Sequence, residues 1–142
     1  MSGIGRKQAK ERGFFMPAPV ILFYTPTPQS YTPKLLQLCA LQRIKLRILD
    51  PSCLERPLSV LVQALPPAEP VPAGESLPEP LLIFCHLSDR QLDQALMSLR
   101  SIQARCLKAV LTPTNARWTP RELYGELCRE RAQLGDAHSS EA

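Results

Sequence analysis

The sequence lacks several features that mark common classes of protein. No apolar run approaches 18 residues, so we expect no transmembrane helix. Basic residues near the amino terminus are not followed by an apolar stretch, so we expect no secretory signal peptide. Only six of the 142 residues are glycine, and the chain contains neither a P-loop nor a dinucleotide-binding fingerprint. The absence of both glycine-rich motifs argues against a P-loop enzyme and against a dinucleotide-dependent enzyme.

The chain is also poor in groups that build disulfide or metal sites. Its five cysteines form no C-x-x-C pair, and their odd number and wide spacing argue against a disulfide framework and a zinc knuckle. The two histidines, His86 and His138, are not spaced as metal ligands, and no two carboxylates follow one strand. We therefore expect no metal, no cofactor, reduced thiols and a cytoplasmic location. The cysteines are Cys39, Cys53, Cys85, Cys106 and Cys128.

Proline is abundant, and it helps to divide the chain. The length of 142 residues and the 44% hydrophobic content fit one globular domain. We predict a basic disordered tail over 1–16, an α/β domain over 17–134 and a second disordered tail over 135–142. Met16 is an alternative start. A loop with six prolines, residues 66–80, divides the domain as an insertion or a lid.

Four apolar runs predict strands, and each is followed by a helical pattern. Residues 19–24 and 80–85 are continuously apolar, as expected of strands buried on both faces. Residues 45–49 alternate, and 106–111 carry Lys108 in the middle, which favours edge strands. The order βαβαβαβα predicts an α/β fold with a four-stranded, mostly parallel sheet in the order 2-1-3-4, flanked by helices.

Capping residues mark the helix starts. Thr32 and Thr119 each precede a proline, which suits the cap and the first helical position. Thr119 and Ser88 have Glu122 and Gln91 three residues on, as in capping boxes. Between the second and third strands, we predict a turn at Ser52 and a short helix from position 57.

Two segments 87 positions apart share a pattern. "TPTPQSYTPKLL" begins at Thr25, and "TPTNARWTPREL" begins at Thr112. Both read Thr-Pro-Thr, three variable residues, an aromatic residue, Thr-Pro, a basic residue and a helix. In each, proline stops strand pairing, the second threonine holds a turn, and the aromatic residue pins the helix entry. We call these segments, residues 25–33 and 112–120, the first and second Thr-Pro loops.

The Thr-Pro loops admit two interpretations. They are well-made connectors, or they form a cradle for a polar or anionic ligand at the carboxyl ends of parallel strands. In the proposed order, the chain reverses direction between strands one and three. A crevice there would be lined by residues 25–27 and 85–89. The ligand-binding candidates are Thr25, Thr27, Thr112, Thr114, Asn115 and Trp118.

Cys85 and His86 are the catalytic candidates. A cysteine between a strand and a helix amino terminus can have a lowered pKa, and a neighbouring histidine can act as a base. However, adjacent strand residues point to opposite faces. The preferred interpretation is therefore a buried cysteine and a half-exposed histidine. Asp50 and Asp89 each follow a strand singly, and Asp89 suits the first turn of its helix.

The carboxyl-terminal half resembles a known family. "LLIFCHLSDRQLDQALMSLRS" followed by "LKAVLTPTNARWTPRELYGELCRE" is similar to small bacterial proteins classed as a domain of unknown function, in which an L-K-A-[VI]-L-T-P-T-N strand precedes an aromatic residue, a threonine and a helix. The likeness covers residues 80–131. It implies a bacterial cytoplasmic protein and no particular activity.

Three functions follow from these observations. The first is a non-enzymatic binding or regulatory module for a small polar or anionic ligand or a protein partner, favoured because a catalytic constellation is missing. The second is an enzyme that uses Thr112, Thr114 and Asn115 with Cys85 as nucleophile. The third is an RNA-associated protein, weakened by the glutamates between its basic residues. Those basic residues are Arg117, Arg121, Arg129 and Arg131.

Overall fold

A computed structural model of the protein describes residues 17–64 and 74–141. Its centre is a four-stranded sheet in the order β2-β1-β3-β4, as the sequence predicts. The strands coincide with the four apolar runs because each run buries at least one face. The two continuous runs form the central pair, and the two interrupted runs form the edges. The strands are β1 (Val20–Tyr24), β2 (Lys45–Leu49), β3 (Leu81–Cys85) and β4 (Leu107–Val110).

The sheet contains one antiparallel pair, and it lies at the centre. β1 is parallel to β2 and β3 is parallel to β4, but β1 and β3 are antiparallel, with Val20 opposite Cys85 and Tyr24 opposite Leu81. We name the two ends of the sheet the Tyr24 end and the Cys85 end. The carboxyl ends of β1 and β3 lie at opposite ends, so the predicted crevice between residues 25–27 and 85–89 does not form.

The connection between β2 and β3 explains this reversal. β2 finishes at the Tyr24 end, and the chain then passes over the sheet through two short helical segments. The described chain resumes at Gly74, and the backbone N–H of Leu77 donates to the hydroxyl of Tyr24 at 3.0 Å. β3 therefore starts at the Tyr24 end, where β1 finishes. A parallel pairing would need β3 to start at the other end.

Helices cover both faces of the sheet. On one face, α1 and α3 enclose a core with the side chains of Ile21, Phe23 and Phe84. On the other face, the remaining helical segments enclose a core with Leu22, Ile83 and their neighbours. β1 and β3 are buried throughout because they lie between the two layers. The α-helices are α1 (Thr32–Leu41), α2 (Leu58–Val62), α3 (Asp89–Ser101) and α4 (Pro120–Glu141), with 3₁₀ turns at Pro51–Glu55 and Asn115–Arg117.

Two of the predicted caps form, and one does not. Ser88 with Gln91 and Thr119 with Glu122 make reciprocal side-chain to backbone bonds. Thr32 is wrong as a cap: it lies inside α1, and the cap is Tyr31, whose side chain makes no capping bond. The third residue after Thr32 is Leu35, which is fully buried. An apolar side chain there packs in the core and cannot return a bond to the cap.

The segment after β2 follows the prediction closely. Asp50 caps the 3₁₀ turn by accepting from the backbone N–H of Ser52 at 2.8 Å, and α2 begins directly after Pro57. The hydrogen bond from the Ser52 hydroxyl to the Asp50 carboxylate is the main cause that lowers the pKa of Asp50. Asp50 therefore has a structural role at the end of β2.

The boundaries of the predicted tails and of the proline-rich loop stay predictions. Residues 1–16 and most of the proline-rich loop lie outside the described residues. At the other end, α4 continues to Glu141, past position 134, where the sequence predicts a disordered tail from residue 135. Gly135 does not end the helix, since a single glycine costs a helix interior only about 1 kcal/mol relative to alanine. Leu134 is 61% exposed, so the side chain at this position of α4 does not pack in the core.

The chain folds as two similar βαβ halves that meet along β1 and β3. α1 and α3 end in the same way, with left-handed residues at Arg43 and Gln103. The following amides, those of Ile44 and Ala104, donate back to the carbonyls five residues earlier at 2.8 and 3.0 Å. The halves differ after their second strands, because α2 has five residues and α4 has 22.

Candidate functional site

The two Thr-Pro loops lie at opposite ends of the sheet. The first follows β1 at the Tyr24 end, and the second follows β4 at the Cys85 end. Thr25 and Thr27 therefore cannot join Thr112, Thr114 and Asn115 around one small ligand. The second loop shares its end of the sheet with Cys85 and His86.

The first loop bonds to itself. The hydroxyl of Thr25 donates to the carbonyl of Thr27 at 2.6 Å. The side-chain amide of Gln29 donates to the Thr25 hydroxyl at 3.2 Å and to the Thr27 carbonyl at 3.1 Å. The polar groups that made these threonines ligand-binding candidates already have partners in the loop, which favours the connector interpretation.

The second loop is held by Asn115, which is only 8% exposed. Its side-chain oxygen accepts from the backbone N–H of Thr112 at 2.8 Å, and its amide donates to the carbonyl of Val110 at 3.0 Å. The backbone N–H of Asn115 donates in return to the Thr112 hydroxyl at 3.1 Å. The half-buried Trp118 accepts at its carbonyl from the amide of Leu58, which ties the loop to α2. Thr114 is exposed.

The positions of Cys85 and His86 do not support a shared catalytic site. Cys85 is fully buried in the core beneath α2 and α4. Burial raises the pKa of its thiol to about 12, which opposes thiolate formation at neutral pH. His86 is exposed and adopts a left-handed backbone with φ of 62°. Strained residues of this kind concentrate at functional sites, so His86 directs attention to its surroundings.

A cavity of about 620 Å³ lies beside His86, between the Cys85 end of the sheet and α2. Its volume is in the range of small-molecule sites. It contains side chains from both halves of the fold and combines apolar walls with a few polar groups. The lining residues are Pro17, Ala18, Val20, Lys45, Arg47, Ser59, Val62, Gln63, His86, Leu111 and Ala116.

The difference between the two halves explains why this cavity is open. In the second half, the long helix α4 packs over the inward face of β4, whose side chains Leu107 and Ala109 are apolar. In the first half, α2 ends at Val62, and no helix of the described residues covers the corresponding part of β2. The side chains that β2 presents there are Lys45 and Arg47. The cavity therefore has cations where the other half has packed apolar residues.

The electrostatics of the cavity are one-sided. Lys45, Arg47 and His86 line it, and no acidic residue of the described part of the chain does. Among the described residues, neither Lys45 nor Arg47 forms an ion pair. The Nε atom of Arg47 is buried without a hydrogen-bond partner in the described part of the chain. Because a buried donor without a partner costs about 1–3 kcal/mol, and more when charged, the guanidinium of Arg47 is incompletely satisfied by the described residues.

Sequence reasoning missed these cations. The alternating pattern of residues 45–49 indicates an edge strand, and polar residues of such a strand are expected to face solvent. On the apolar face of β2, only one of the two side chains packs against the core. Leu46 packs on the α1 side, but Ile48 is 59% exposed. The shortness of the predicted second helix was the available signal, since a short helix cannot cover both ends of the strand before it.

The basic residues proposed for RNA binding are largely paired. Arg121 bonds to Glu55, Arg129 to Glu126, and Arg131 to Glu79 at 2.7 Å. The hydrogen bond from Arg131 is the main cause that lowers the pKa of Glu79 to about 2. The pairs of Arg121 and Arg131 join α4 to neighbouring segments, and the pair of Arg129 lies within α4. All three leave fewer cations for a phosphate backbone. The RNA prediction is therefore not favoured by the geometry.

Two other classes of site receive no support. Within residues 17–64 and 74–141, no three potential metal-ligating side chains of His, Cys, Asp or Glu come together. Across the same ranges, no helix combines the length and apolar character needed to cross a bilayer.

Comparison with known proteins concerns the second half of the chain. No curated protein and no solved structure matches the chain. The resemblance stated from the sequence is confirmed to the level of a domain without an assigned function. Residues 80–134, which comprise β3, α3, β4, the second Thr-Pro loop and most of α4, match the family described as Domain of unknown function (DUF3783).

Proposed function

We propose that this protein is a binding module for a small anion, and that the ligand occupies the cavity between α2 and the Cys85 end of the sheet. The observation that carries the proposal is the convergence of Lys45, Arg47 and His86 on a cavity to which the described residues contribute no carboxylate. This keeps the binding module predicted from the sequence but moves its site away from a two-loop cradle. The second Thr-Pro loop contributes Ala116 to the cavity wall.

The guanidinium of Arg47, which lines the cavity, makes the proposal specific. An arginine side chain presents donors in a planar fork that matches the oxygens of a carboxylate or a phosphate. Lys45 precedes Arg47 by two residues and therefore lies on the same face of β2. His86 approaches from the end of β3, on the other side of β1. The ligand is thus held from two strands, which suits recognition better than a single surface cation.

The proposal is for a binding protein and not for an enzyme. Cys85 is directed into the core, and Asn115 and Thr112 bond to each other. The five cysteines are free thiols in the structure, which suits a reducing compartment. A location in the bacterial cytoplasm is part of the same proposal.

A titration followed by ¹H–¹⁵N NMR tests the site. The protein is titrated with sodium phosphate and sodium benzoate at constant ionic strength, with sodium chloride as the reference. Saturable shifts are expected at Lys45, Arg47 and His86. Arg47→Gln should weaken binding at least tenfold, because hydrogen bonds to charged groups contribute about 1.5–3 kcal/mol.

The matched control is Arg90→Gln, which removes the same charge from an exposed position on α3. It should leave the affinity unchanged within about twofold. Shifts that are scattered over the surface, or that weaken equally in both variants, would overturn the proposal. In that case Lys45 and Arg47 serve to protect an edge strand from pairing with other chains.

A further inference from the structure

We infer that the ligand of this cavity is a carboxylate carried on an apolar body about 10 Å long, an inference that rests on the proposed anion site. The charged groups of the cavity are separated from its apolar wall. Two uncharged polar side chains, Ser59 and Gln63, lie on α2, where the amide of Gln63 already donates to the carbonyl of Ser59 at 2.9 Å. The cations stand on β2, and the apolar side chains lie between β2 and the ends of β3 and β4. The ligand that matches has one charged end and an uncharged remainder.

The sheet sets the distances. Val20 pairs with Lys45 on one side and with Cys85 on the other. Neighbouring strands are spaced about 4.7–4.9 Å apart. The distance from the cations of β2 across β1 to the end of β3 is therefore about 10 Å. A compact inorganic anion at Arg47 leaves most of this distance unoccupied.

The middle of the cavity is apolar. Val20 forms its floor on β1, Val62 covers it from α2, and Leu111 and Ala116 close the far side after β4. None of these side chains offers a hydrogen bond, so a second charged group there would be desolvated without a partner. Burial of methylene groups against the same side chains is favourable. This arrangement favours an alkyl or aryl body over a second charged group such as a phosphate.

His86 adds a polar contact at the far end. Its side chain lines the cavity from the end of β3, opposite the cations. In its neutral form an imidazole offers one donor and one acceptor. A body that spans the cavity thus ends beside one hydrogen-bonding group, which limits its length.

Isothermal titration calorimetry with linear carboxylates tests this inference. Acetate, butanoate, hexanoate and octanoate are compared with the amides of the same chain lengths and with inorganic phosphate. Affinity for the carboxylates should rise about fourfold for each added methylene, up to the length that fills the cavity. The amides should bind at least tenfold more weakly than the matching acids.

Two variants separate the charged end from the apolar end. Arg47→Gln should weaken all the carboxylates by a similar factor. Val62→Thr, which keeps the side-chain shape but adds a hydroxyl, should weaken octanoate several-fold and leave acetate unchanged. Thermal midpoints of both variants, measured without ligand, establish that each is folded.

The failures are distinguishable. If phosphate and acetate bind as tightly as octanoate, and Arg47→Gln weakens them, the anion site stands and the apolar carboxylate is wrong. If amides bind as well as acids, the cations are not part of the site and both proposals fail. If none of these compounds binds, both proposals fail as well.

Discussion

The first and second Thr-Pro loops are alike in sequence and different in structure. Both join a strand to a helix through Thr-Pro, an aromatic residue and a second Thr-Pro. In the first, the aromatic Tyr31 is buried and is itself the cap of α1. In the second, a 3₁₀ turn precedes Trp118, and Thr119 caps α4 through a reciprocal pair of bonds. The shared letters thus specify a connection and not one conformation.

The residues that differ between the loops decide their structure. The position of Asn115, which anchors the second loop, is occupied in the first by Pro28, whose side chain has no hydrogen-bonding group. There Gln29 takes over the bonding, from the next position along. The position of Glu122, which completes the capping box, is occupied by the buried Leu35. A repeat is therefore informative about topology and weak evidence for a shared binding site.

The aromatic residues should show the largest difference between the loops. Tyr31 packs against Phe23 with ring centroids 6.2 Å apart, and its hydroxyl donates to the carbonyl of Arg105 at 3.3 Å. Tyr31→Ala should reduce the free energy of unfolding by about 3–4 kcal/mol, because it empties a buried aromatic site. Trp118→Ala, at a half-buried site, should cost less, about 1–2 kcal/mol.

Urea denaturation of the two variants and the parent measures this difference. Tyr31→Phe serves as the control, because it keeps the ring and removes only the long hydrogen bond, for a loss of at most about 1 kcal/mol. A larger loss for Trp118→Ala than for Tyr31→Ala would mean that the second loop, and not the first, carries the better-packed aromatic residue.

The anchoring side chains should differ next. Asn115→Ala removes the acceptor for the Thr112 amide and the donor to the Val110 carbonyl. Since each such bond contributes about 0.5–1.5 kcal/mol, and both backbone groups lose a partner, a loss of about 2 kcal/mol is expected. Gln29→Ala, whose bonds are largely exposed, should cost less than about 0.5 kcal/mol.

Thermal unfolding and amide hydrogen exchange measure the effect on the second loop. The exchange protection of Thr112 should fall in Asn115→Ala and stay unchanged in Gln29→Ala. Equal losses in the two variants would contradict the distinction between a buried anchor and a surface bond.

The sequence predicted the four strands, their order and a mostly parallel sheet, but it did not predict that β3 runs antiparallel to β1. The apolar runs located the four strands, and the continuous runs identified the central pair. Both predictions succeeded because a strand buried on two faces is apolar at every position, whereas a strand buried on one face alternates. The direction of β3 depends on how residues 50–80 return the chain to the Tyr24 end, and no local pattern encodes that. The cradle of Thr25 and Thr112 failed for this reason, since it assumed strands that end at one edge.

The cavity was unpredictable for a related reason. Lys45 and Arg47 read as solvent-facing residues of an edge strand, and the pattern is the same whether or not a helix covers them. Their position in a cavity depends on the length of α2 and on the approach of His86 from the other half. A site made from two halves requires the sheet order and direction before its members can be brought together.

The helix caps should give the smallest of the three differences between the loops. Thr119→Ala removes the acceptor for the amide of Glu122 and should cost about 1 kcal/mol, the usual loss for a capping residue. Thr32→Ala, inside the first turn of α1, should change the free energy of unfolding by less than about 0.5 kcal/mol, because its side chain makes no capping bond. Urea denaturation of both variants measures the two losses.

The double variant Thr119→Ala with Glu122→Ala should lose less than the sum of its single losses, since each residue bonds the backbone amide of the other and together they form one capping box. A loss for Thr32→Ala that equals the loss for Thr119→Ala would show that the two loops cap their helices alike, and the contrast drawn between them would fail at this position.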